Sequence, residues 1–345
     1  MSAVWNYIRT HWFSISLILG VAWFAALRAY YWVKPWMPDL LHLNLRRWWA
    51  KRTLQRCNGD WPILESAGEK PSGWSGWPDE RKFAFILTHD VESQRGLDRV
   101  KQLAELEISL GVRSSFNFVP EGAYQVSREL RTWLVDRGFE VGVHDHRHDG
   151  HLYRSRSHFL AGAKRINFFL KEWEAVGFRS GFMFHKLDWI HDLNVLYDAS
   201  TFDTDPFEPQ PDSVRTIFPF WVNGRNGTGY VELPYTLVQD STLFVMLEEK
   251  AIDIWKRKLE WIASRGGMAL LTVHPDYVTF DGQEPQRDEY PVAHYTEFIS
   301  WVKQTYSGQF WHAVPREVAE FYRKQRQNVI SGLLALNSSG LLIAL

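Results

Sequence analysis

The sequence contains a single cysteine, Cys57, and its formal net charge is only -1. One thiol excludes an intramolecular disulfide and a cysteine-cluster metal site, so any bound metal must be held by His, Asp and Glu side chains. Without a global basic field, the backbone of a nucleic acid is not expected to be a partner. The content of 45% hydrophobic and 23% charged residues is typical of a folded, water-soluble chain.

The sequence also lacks a clear membrane-spanning run. The longest uncharged N-terminal stretch, THWFSISLILGVAWFAAL, lies between Arg9 and Arg28 and falls short of the ~20 apolar residues that cross a bilayer. Whether residues 10–33 span a membrane or lie on it therefore stays open. The stretch is followed by seven basic residues and one acid, Asp39; the basic residues are Arg28, Lys34, Arg46, Arg47, Lys51, Arg52 and Arg56. This asymmetry predicts that the rest of the chain faces the cytoplasm.

Residues 1–58 are thus predicted to be a hydrophobic and amphipathic helical segment that associates with a membrane surface. Within them LHLNLRRWWAKR is typical of a basic amphipathic helix on anionic lipid. A cleaved signal peptide is disfavoured, because no small-residue cleavage site follows the run. A hydrophobic helix docked on the soluble domain remains an alternative. Ten of the eighteen tryptophans precede residue 78, which sets this part of the chain apart.

Three further boundaries follow from composition. Residues 59–81 are rich in Gly, Pro and Ser and are predicted to be a linker. Residues 82–327 then form the main domain. Residues 328–345 form an apolar tail, and its sequence leaves a membrane contact, a packed helix and a frayed end equally open.

The main domain alternates strand-like and helix-like segments. The predicted strands are 83–88, 114–119, 140–144, 268–274 and 310–314. The predicted helices are 95–110, Ser127 to Gly138, 157–176, 247–265, 292–306 and one that Pro315 opens. Such alternation predicts an α/β fold with parallel strands and crossover helices.

Polar side chains gather where these strands end. Asp90 and Glu92 follow the first strand, two residues apart, and can point the same way. His144 and His148 follow another strand with a spacing that places two imidazoles on one side of a helical turn. Two histidines and a carboxylate form a common catalytic site for a divalent ion. By itself the histidine pair would more often be a solvated loop.

His274 ends the apolar strand MALLTVH. A structural hydrogen bond is the commoner role for a buried histidine of this kind. Beside a metal site it could instead act as a general acid, since its reference pKa of ~6.5 suits proton transfer near neutrality.

From Phe83 to Arg323 these residues carry a resemblance to the polysaccharide deacetylase domain, also called NodB homology or carbohydrate esterase family 4. THDVE resembles the family's first motif, which implies that Asp90 is the catalytic base and Glu92 a metal ligand. HDHRH resembles the second, which implies His144 and His148 as metal ligands. The resemblance implies a distorted (β/α) barrel.

Three further motifs continue the resemblance. GFRSGFMFH resembles the third, which implies that Arg179 holds the base carboxylate. YDASTFDTDPFEP resembles the fourth, which implies that Asp203 or Asp205 pairs with the catalytic histidine. LLTVHPDY resembles the fifth, which implies that His274 is the acid. Without the resemblance, a surface salt bridge for Arg179 and a turn before Pro206 for the two aspartates are the ordinary roles.

The resemblance implies a hydrolase that uses one divalent metal ion to remove N-acetyl groups from a glycan or glycolipid. Zinc is the expected ion, with cobalt and nickel as alternatives. Two departures favour a second hypothesis, a catalytically silent scaffold: Glu92 stands where the family has Asp, and Gly181 where it has Pro. A third hypothesis is a hydrolase of another amide or ester. Four aromatic residues could stack on sugar rings, although core packing is the commoner role for each; they are Trp189, Trp221, Tyr153 and Tyr230.

Overall fold

The computed structural model describes residues 39–57, 59, 61–224, 227–280 and 282–338, with the side chains of 39–40 and 329–338 left out. By internal contacts the chain divides into two units, Met1–Trp49 and Ala50–Leu345. The first helix, α1 (Asp39–Arg56), begins the described chain. The predicted membrane stretch at residues 10–33 lies outside the described residues. Within the described residues, no helix combines the length and the apolar character needed to cross a membrane.

The second unit is built on one sheet of nine strands, of which eight run parallel and β6 runs antiparallel to β7. The strands are β1 (Phe83–Val91), β2 (Ser115–Phe118), β3 (Glu140–His144), β4 (Gly177–Arg179), β5 (Tyr197–Asp198), β6 (Phe220–Asn223), β7 (Gly229–Glu232), β8 (Met268–Val273) and β11 (Phe310–His312). A small separate pair is formed by β9 (Val278–Thr279) and β10 (Tyr290–Pro291). The order β11-β1-β2-β3-β4-β5-β7-β6, with β8 also paired to β1, is a curled, distorted barrel, as predicted.

Crossover helices join the parallel strands, as the alternating pattern predicts. They are α2 (Gln94–Ser109), α3 (Arg128–Val135), α4 (Arg156–Glu172), α5 (Leu187–Ile190), α6 (Asp253–Arg265) and α7 (Ala293–Thr305), and the helix α8 (Pro315–Ser338) follows the last strand. Serine caps begin three of them, since the hydroxyls of Ser93, Ser127 and Ser155 accept backbone N–H groups of the first turn. The predicted cap at Ser127 is therefore confirmed.

One predicted helix boundary is wrong. The helix predicted for 247–265 begins only at Asp253, because Ser241–Met246 form a single π-helical turn and the chain between the two is not helical. The apolar tail predicted from residue 328 is helical at its start, since α8 continues without a break to Ser338. Residues 339–345 lie outside the described part of the chain.

The segment 59–81, predicted to be a linker, is packed against the barrel through Trp61 and Trp77. Trp77 is 5% exposed, belongs to the core cluster that includes Ala84 and Ile86 of β1, and donates its indole N–H to the carbonyl of Gly266 at 2.9 Å. Trp61 is also buried and meets Phe207 edge to face. Burying the large aromatic side chains stabilises the packed segment, despite its Gly-, Pro- and Ser-rich composition.

The stretch after β7 closes the sheet onto β8. Thr236 and Leu237 both donate their backbone N–H groups to the carbonyl of Leu270 at 3.1 Å, and the Thr236 hydroxyl donates to Met268 O at 2.6 Å. This return brings the next residues along the chain, up to Asp240, to the carboxyl end of β8.

A buried acid pair joins β5 and β7. Asp198 and Glu232 are register partners, neither is accessible to solvent, and their carboxyl groups lie within hydrogen-bonding reach of each other. Burial raises the pKa of Asp198 to about 6. Burial and the neighbouring Asp198 charge raise the pKa of Glu232 well above its usual range. The pair therefore keeps a proton at neutral pH.

We expect Glu232→Gln to remove a pH dependence of stability. The folded chain holds a proton that the unfolded chain releases above a pKa of about 4.5, so the pair stabilises the fold fully below that pH and progressively less as the pH rises through about 6. The loss in unfolding free energy between pH 5 and pH 8 should shrink by roughly 1–3 kcal/mol in the variant. Urea unfolding at both pH values measures it. Glu260→Gln, at an exposed glutamate, is the control. If the unfolding free energy of wild type, Glu232→Gln and Glu260→Gln falls equally between pH 5 and pH 8, the prediction is wrong.

Candidate metal and catalytic site

Asp90 lies at the carboxyl end of β1 and is held by two donors. Asn117 of β2 donates to its Oδ1 at 2.9 Å, and Arg179 Nη1 lies 3.2 Å from both carboxylate oxygens. Burial alone would raise the pKa of Asp90, but the charges of Arg179 and the nearby histidines outweigh it and lower the pKa to about 2. Asp90 is therefore ionised throughout the physiological pH range.

Arg179 is fully buried inside the barrel at the end of β4. Its Nε donates to the carbonyl of Ala199 at 2.9 Å, and its Nη1 lies 3.0 Å from the Thr88 hydroxyl and 2.8 Å from that of Thr272. These contacts fix the guanidinium against Asp90, so the surface salt bridge is ruled out for Arg179. The structure brings together the two residues that the first and third motifs supply.

Glu92, His144 and His148 bring one carboxylate oxygen and two imidazole nitrogens within 4.8 Å of one another. Glu92 Oε1 lies 3.1 Å from His148 Nε2 and 3.9 Å from His144 Nε2. The Nδ1 atom of His144 faces the carbonyl of Arg179 at 3.1 Å, which turns Nε2 toward Glu92. Both Nε2 atoms are buried, and although Glu92 Oε1 lies close to them, neither makes a hydrogen bond of good geometry within the described residues. Two orphaned imidazole nitrogens facing a carboxylate fit a divalent cation.

The predicted helical turn between the two histidines is wrong. His144 is the last residue of β3, and the chain from Asp145 to Gly150 is an irregular loop. Asp145 and His148 both have φ of +55°, a left-handed backbone that helical residues do not adopt. The loop nevertheless places the two rings 4.8 Å apart. The backbone of this loop, and not a helical turn, therefore brings the two histidines together.

Glu92 is anchored by the fifth motif. Its backbone N–H donates to Asp276 Oδ2 at 3.0 Å, and its Oε2 lies 3.3 Å from the Tyr277 hydroxyl. The anchored Oε2 leaves Oε1 facing the two histidines. Although burial opposes its charge, His148 and His144 lower the pKa of Glu92 well below its usual range. The carboxylate is thus ready to bind a cation.

His274 follows β8 and pairs with Asp240. Asp240 Oδ1 lies 2.6 Å from His274 Nδ1, and Asp240 Oδ2 accepts the backbone N–H of His274 and the hydroxyl of Tyr290, each at 2.9 Å. Burial lowers the pKa of His274, but Asp240 more than offsets it and the pKa rises to about 10. The free Nε2 of His274 lies 3.9 Å from Glu92 Oε1, so it faces the same space as the two other histidines.

The predicted pairing of Asp203 or Asp205 with His274 is wrong. Asp203 lies 2.5 Å from the buried ammonium of Lys258, and Asp205 accepts the Phe207 N–H and the Tyr235 hydroxyl. Their carboxyl oxygens are thus engaged in the structure of the loop after β5. Sequence reasoning missed Asp240, the first charged residue after Glu232, because no strand ends beside it.

The four aromatic candidates for sugar stacking pack mainly within the protein. Tyr230 is 2% exposed and donates to the carbonyl of Leu187, and Trp221 packs against the core cluster. Tyr153 and Trp189 are half-buried and stack on each other, with ring centroids 6.1 Å apart. Core packing therefore accounts for their positions.

Comparison with known proteins gives structural matches alone. No family model matches the chain, and no curated protein matches it. A protein assigned as a polysaccharide deacetylase from Mycobacterium smegmatis matches with a TM-score of 0.56 and 21% identity, over 74% of this chain and 96% of that one. The peptidoglycan deacetylase PdaC from Bacillus subtilis matches with a TM-score of 0.43 and 12% identity, over 72% and 95%. The first match confirms that the chain has the polysaccharide deacetylase fold.

Proposed function

We propose that this chain is a metal-dependent hydrolase that removes N-acetyl groups from an amino-sugar-containing polysaccharide or glycolipid. The observation that carries the proposal is the cluster of Glu92, His144 and His148, with Asp90 at the end of β1 and His274 facing the cluster. A carboxylate held ionised and an imidazole held protonated, both beside a three-ligand site, are the parts that metal-assisted amide hydrolysis needs. The deacetylase fold agrees with this chemistry.

Glu92, His144 and His148 would hold the ion, expected to be zinc with cobalt and nickel as alternatives. A divalent cation there would polarise the acetyl carbonyl and lower the pKa of an adjacent water. Three protein ligands leave a coordination position for water or substrate, as catalytic zinc sites require. The Asp145–Gly150 loop and the fifth motif, which anchors Glu92, hold these ligands in place.

Asp90 and His274 divide the proton transfers. Asp90 is an ionised carboxylate held by Arg179, so it can accept a proton from the attacking water. His274 carries a proton on Nε2 at neutral pH because its Nδ1 is engaged by Asp240. It can donate that proton to the sugar nitrogen as acetate leaves. This assigns the base and the acid to groups whose pKa values are shifted in opposite directions.

We expect acetate release from an N-acetylglucosamine oligomer to require a divalent ion. Exhaustive chelation should reduce turnover at least ~100-fold, and added zinc, cobalt or nickel should restore it. Enzymatic acetate detection together with metal analysis of the same samples measures both quantities. Full turnover by metal-free protein would contradict the proposal. Bound metal without acetate release from glycan, and with glycan affinity retained, would identify a silent scaffold instead.

We further propose that residues 1–58 bind a membrane surface and that the hydrolase domain faces the cytoplasm. In α1, Leu41 is 51% exposed, Leu45 41% and Trp48 60%, and basic residues lie among them, so the helix offers both apolar and cationic contacts to an anionic bilayer. Full-length protein should sediment with phosphatidylglycerol vesicles and much less with phosphatidylcholine vesicles. Protein that stays in the supernatant with both would refute membrane association.

A further inference from the structure

Gly181 lies directly against the metal-site histidine His148. A Cβ atom built on Gly181 would be 2.8 Å from His148 Cδ2, 2.9 Å from Asp145 Oδ2 and 3.4 Å from His148 Nε2. Real Cβ atoms essentially never come within 3.0 Å of another atom. Since Gly181 is not among the glycines with positive φ, the requirement is for space and not for a special backbone. Any side chain there would push on His148 or Asp145.

His148 has little freedom to yield to such a push. The ring of Phe182 stacks on it with centroids 4.5 Å apart and an interplanar angle of 26°. Two hydrogen bonds to backbone groups fix Asp145. Its N–H donates to Arg179 O at 2.7 Å, and its Oδ1 accepts the N–H of His146 at 2.6 Å. The imidazole is therefore confined between Phe182, the Asp145 loop and Gly181.

The reach of Glu92 explains why His148 needs this space. A glutamate carboxylate extends one carbon–carbon bond, about 1.5 Å, further from the backbone than an aspartate carboxylate. Glu92 Oε1 lies closer to His148 Nε2 than to His144 Nε2, at 3.1 Å against 3.9 Å. The point at which the three ligand atoms would meet an ion therefore lies on the side of His148 and Gly181.

We propose that Gly181 is a positioning residue of the metal site and that it acts as a pair with Glu92. The missing side chain at 181 makes room for His148 to meet the longer ligand at 92, so that the two departures from the family pattern compensate each other. This proposal rests on the proposed metal site. It adds a coupling between Glu92, which would bind the ion, and Gly181, which would not.

Gly181→Ala tests the space requirement. Zinc affinity, measured by competition with a chromophoric chelator, should fall about 10–100-fold, the usual effect of disturbing a residue that orients a ligand. The visible absorption of the cobalt-loaded protein should change as well, because the coordination geometry changes. Gly68→Ala is the matched control, since a Cβ there would lie 2.9 Å from Arg265 Cγ and 3.0 Å from Trp261 Cζ2, away from the site. Its zinc affinity and cobalt spectrum should equal those of wild type.

A double-mutant cycle tests the pairing. Glu92→Asp alone should weaken zinc binding, and Gly181→Ala should cost less than ~3-fold in the Glu92→Asp background, because the shorter ligand draws His148 away from residue 181. Thermal unfolding of the metal-free proteins establishes that each variant folds. Equal costs in both backgrounds would overturn the pairing, and unchanged affinity in a folded Gly181→Ala variant would overturn the positioning role. Wild type without zinc binding would defeat the proposed function itself, a result distinct from these two.

Discussion

Asp90→Asn lowers the turnover of an N-acetylated glycan by about 10²–10⁴-fold, the range in which general-base catalysis contributes. The amide keeps the size of the side chain but cannot take a proton from water. It leaves Glu92, His144 and His148 untouched, so zinc affinity should change far less than turnover. The expected signature is therefore a loss in kcat with the metal retained. Acetate release and zinc content of the same preparation measure the two effects.

The substitution also removes the negative partner of the buried Arg179 guanidinium. Loss of one partner from a buried pair costs about 3–5 kcal/mol, so thermal unfolding must accompany the kinetics. Asp98→Asn, on exposed Asp98 of α2, is the control for a change from Asp to Asn that touches no part of the site. Wild-type turnover in folded Asp90→Asn protein would mean that Asp90 is not the base.

Asp240→Asn is expected to reduce turnover about 10²–10⁴-fold as well, through His274. The carboxylate of Asp240 accepts the Nδ1–H and the backbone N–H of His274, which fixes the ring and keeps a proton on Nε2. Because Asp240 contributes more to the raised pKa of His274 than Glu92 and Asp90 do, its neutral replacement should let that pKa fall from about 10 toward its usual range. The protonated donor exists below the pKa, so activity should be lost first at alkaline pH. The alkaline limb of the rate profile should then move to lower pH.

Asp205→Asn separates this account from the one that the sequence predicts. Asp205 contacts Phe207 and Tyr235, and His274 Nδ1 is bonded to Asp240 instead, so the Asp205 variant should keep the wild-type pH profile and nearly wild-type kcat. A shifted alkaline limb in Asp205→Asn, with an unchanged limb in Asp240→Asn, would reverse the assignment of the histidine's partner.

Much of the candidate site can be predicted from the sequence because strand ends meet. β1, β3, β4 and β8 run parallel in one sheet, so Asp90, His144, Arg179 and His274 must come to the same edge. Alternation along a strand likewise puts Thr88 and Asp90 on one face, where both contact Arg179. For Asp90, His144 and His274 the end of a predicted strand is therefore the signal, whereas Arg179 ends a strand outside the predicted ones and is indicated only by the family resemblance.

The partner of His274 could not be predicted in this way. Asp240 reaches the site on a stretch that belongs to none of the strands and that returns to β8 through Thr236 and Leu237. That return depends on contacts between residues more than thirty positions apart, which a local pattern does not encode. Asp203 and Asp205 carry a stronger local signal, yet Lys258 and Tyr235 draw them into the structure of their own loop.

The N-terminal tryptophans show the opposite problem, a strong signal with two meanings. Their enrichment before residue 78 sets this part of the chain apart, but Trp61 and Trp77 are buried in the second unit and Trp74 packs beside Trp77. Aromatic residues suit both an interface with lipid and a protein core, so composition alone could not divide them. The glycine, proline and serine residues between these tryptophans form turns, and the segment is nevertheless packed on the protein.

The most direct test of the central claim is anomalous diffraction at the zinc edge from crystals of the zinc-loaded protein. We expect one strong peak about 2.0–2.2 Å from His144 Nε2, His148 Nε2 and Glu92 Oε1, the bond lengths of zinc to nitrogen and oxygen ligands. The side chains of Asp90 and His274 should flank it without binding it. No peak among these three side chains in a zinc-saturated crystal, or a peak held by other residues, would contradict the account.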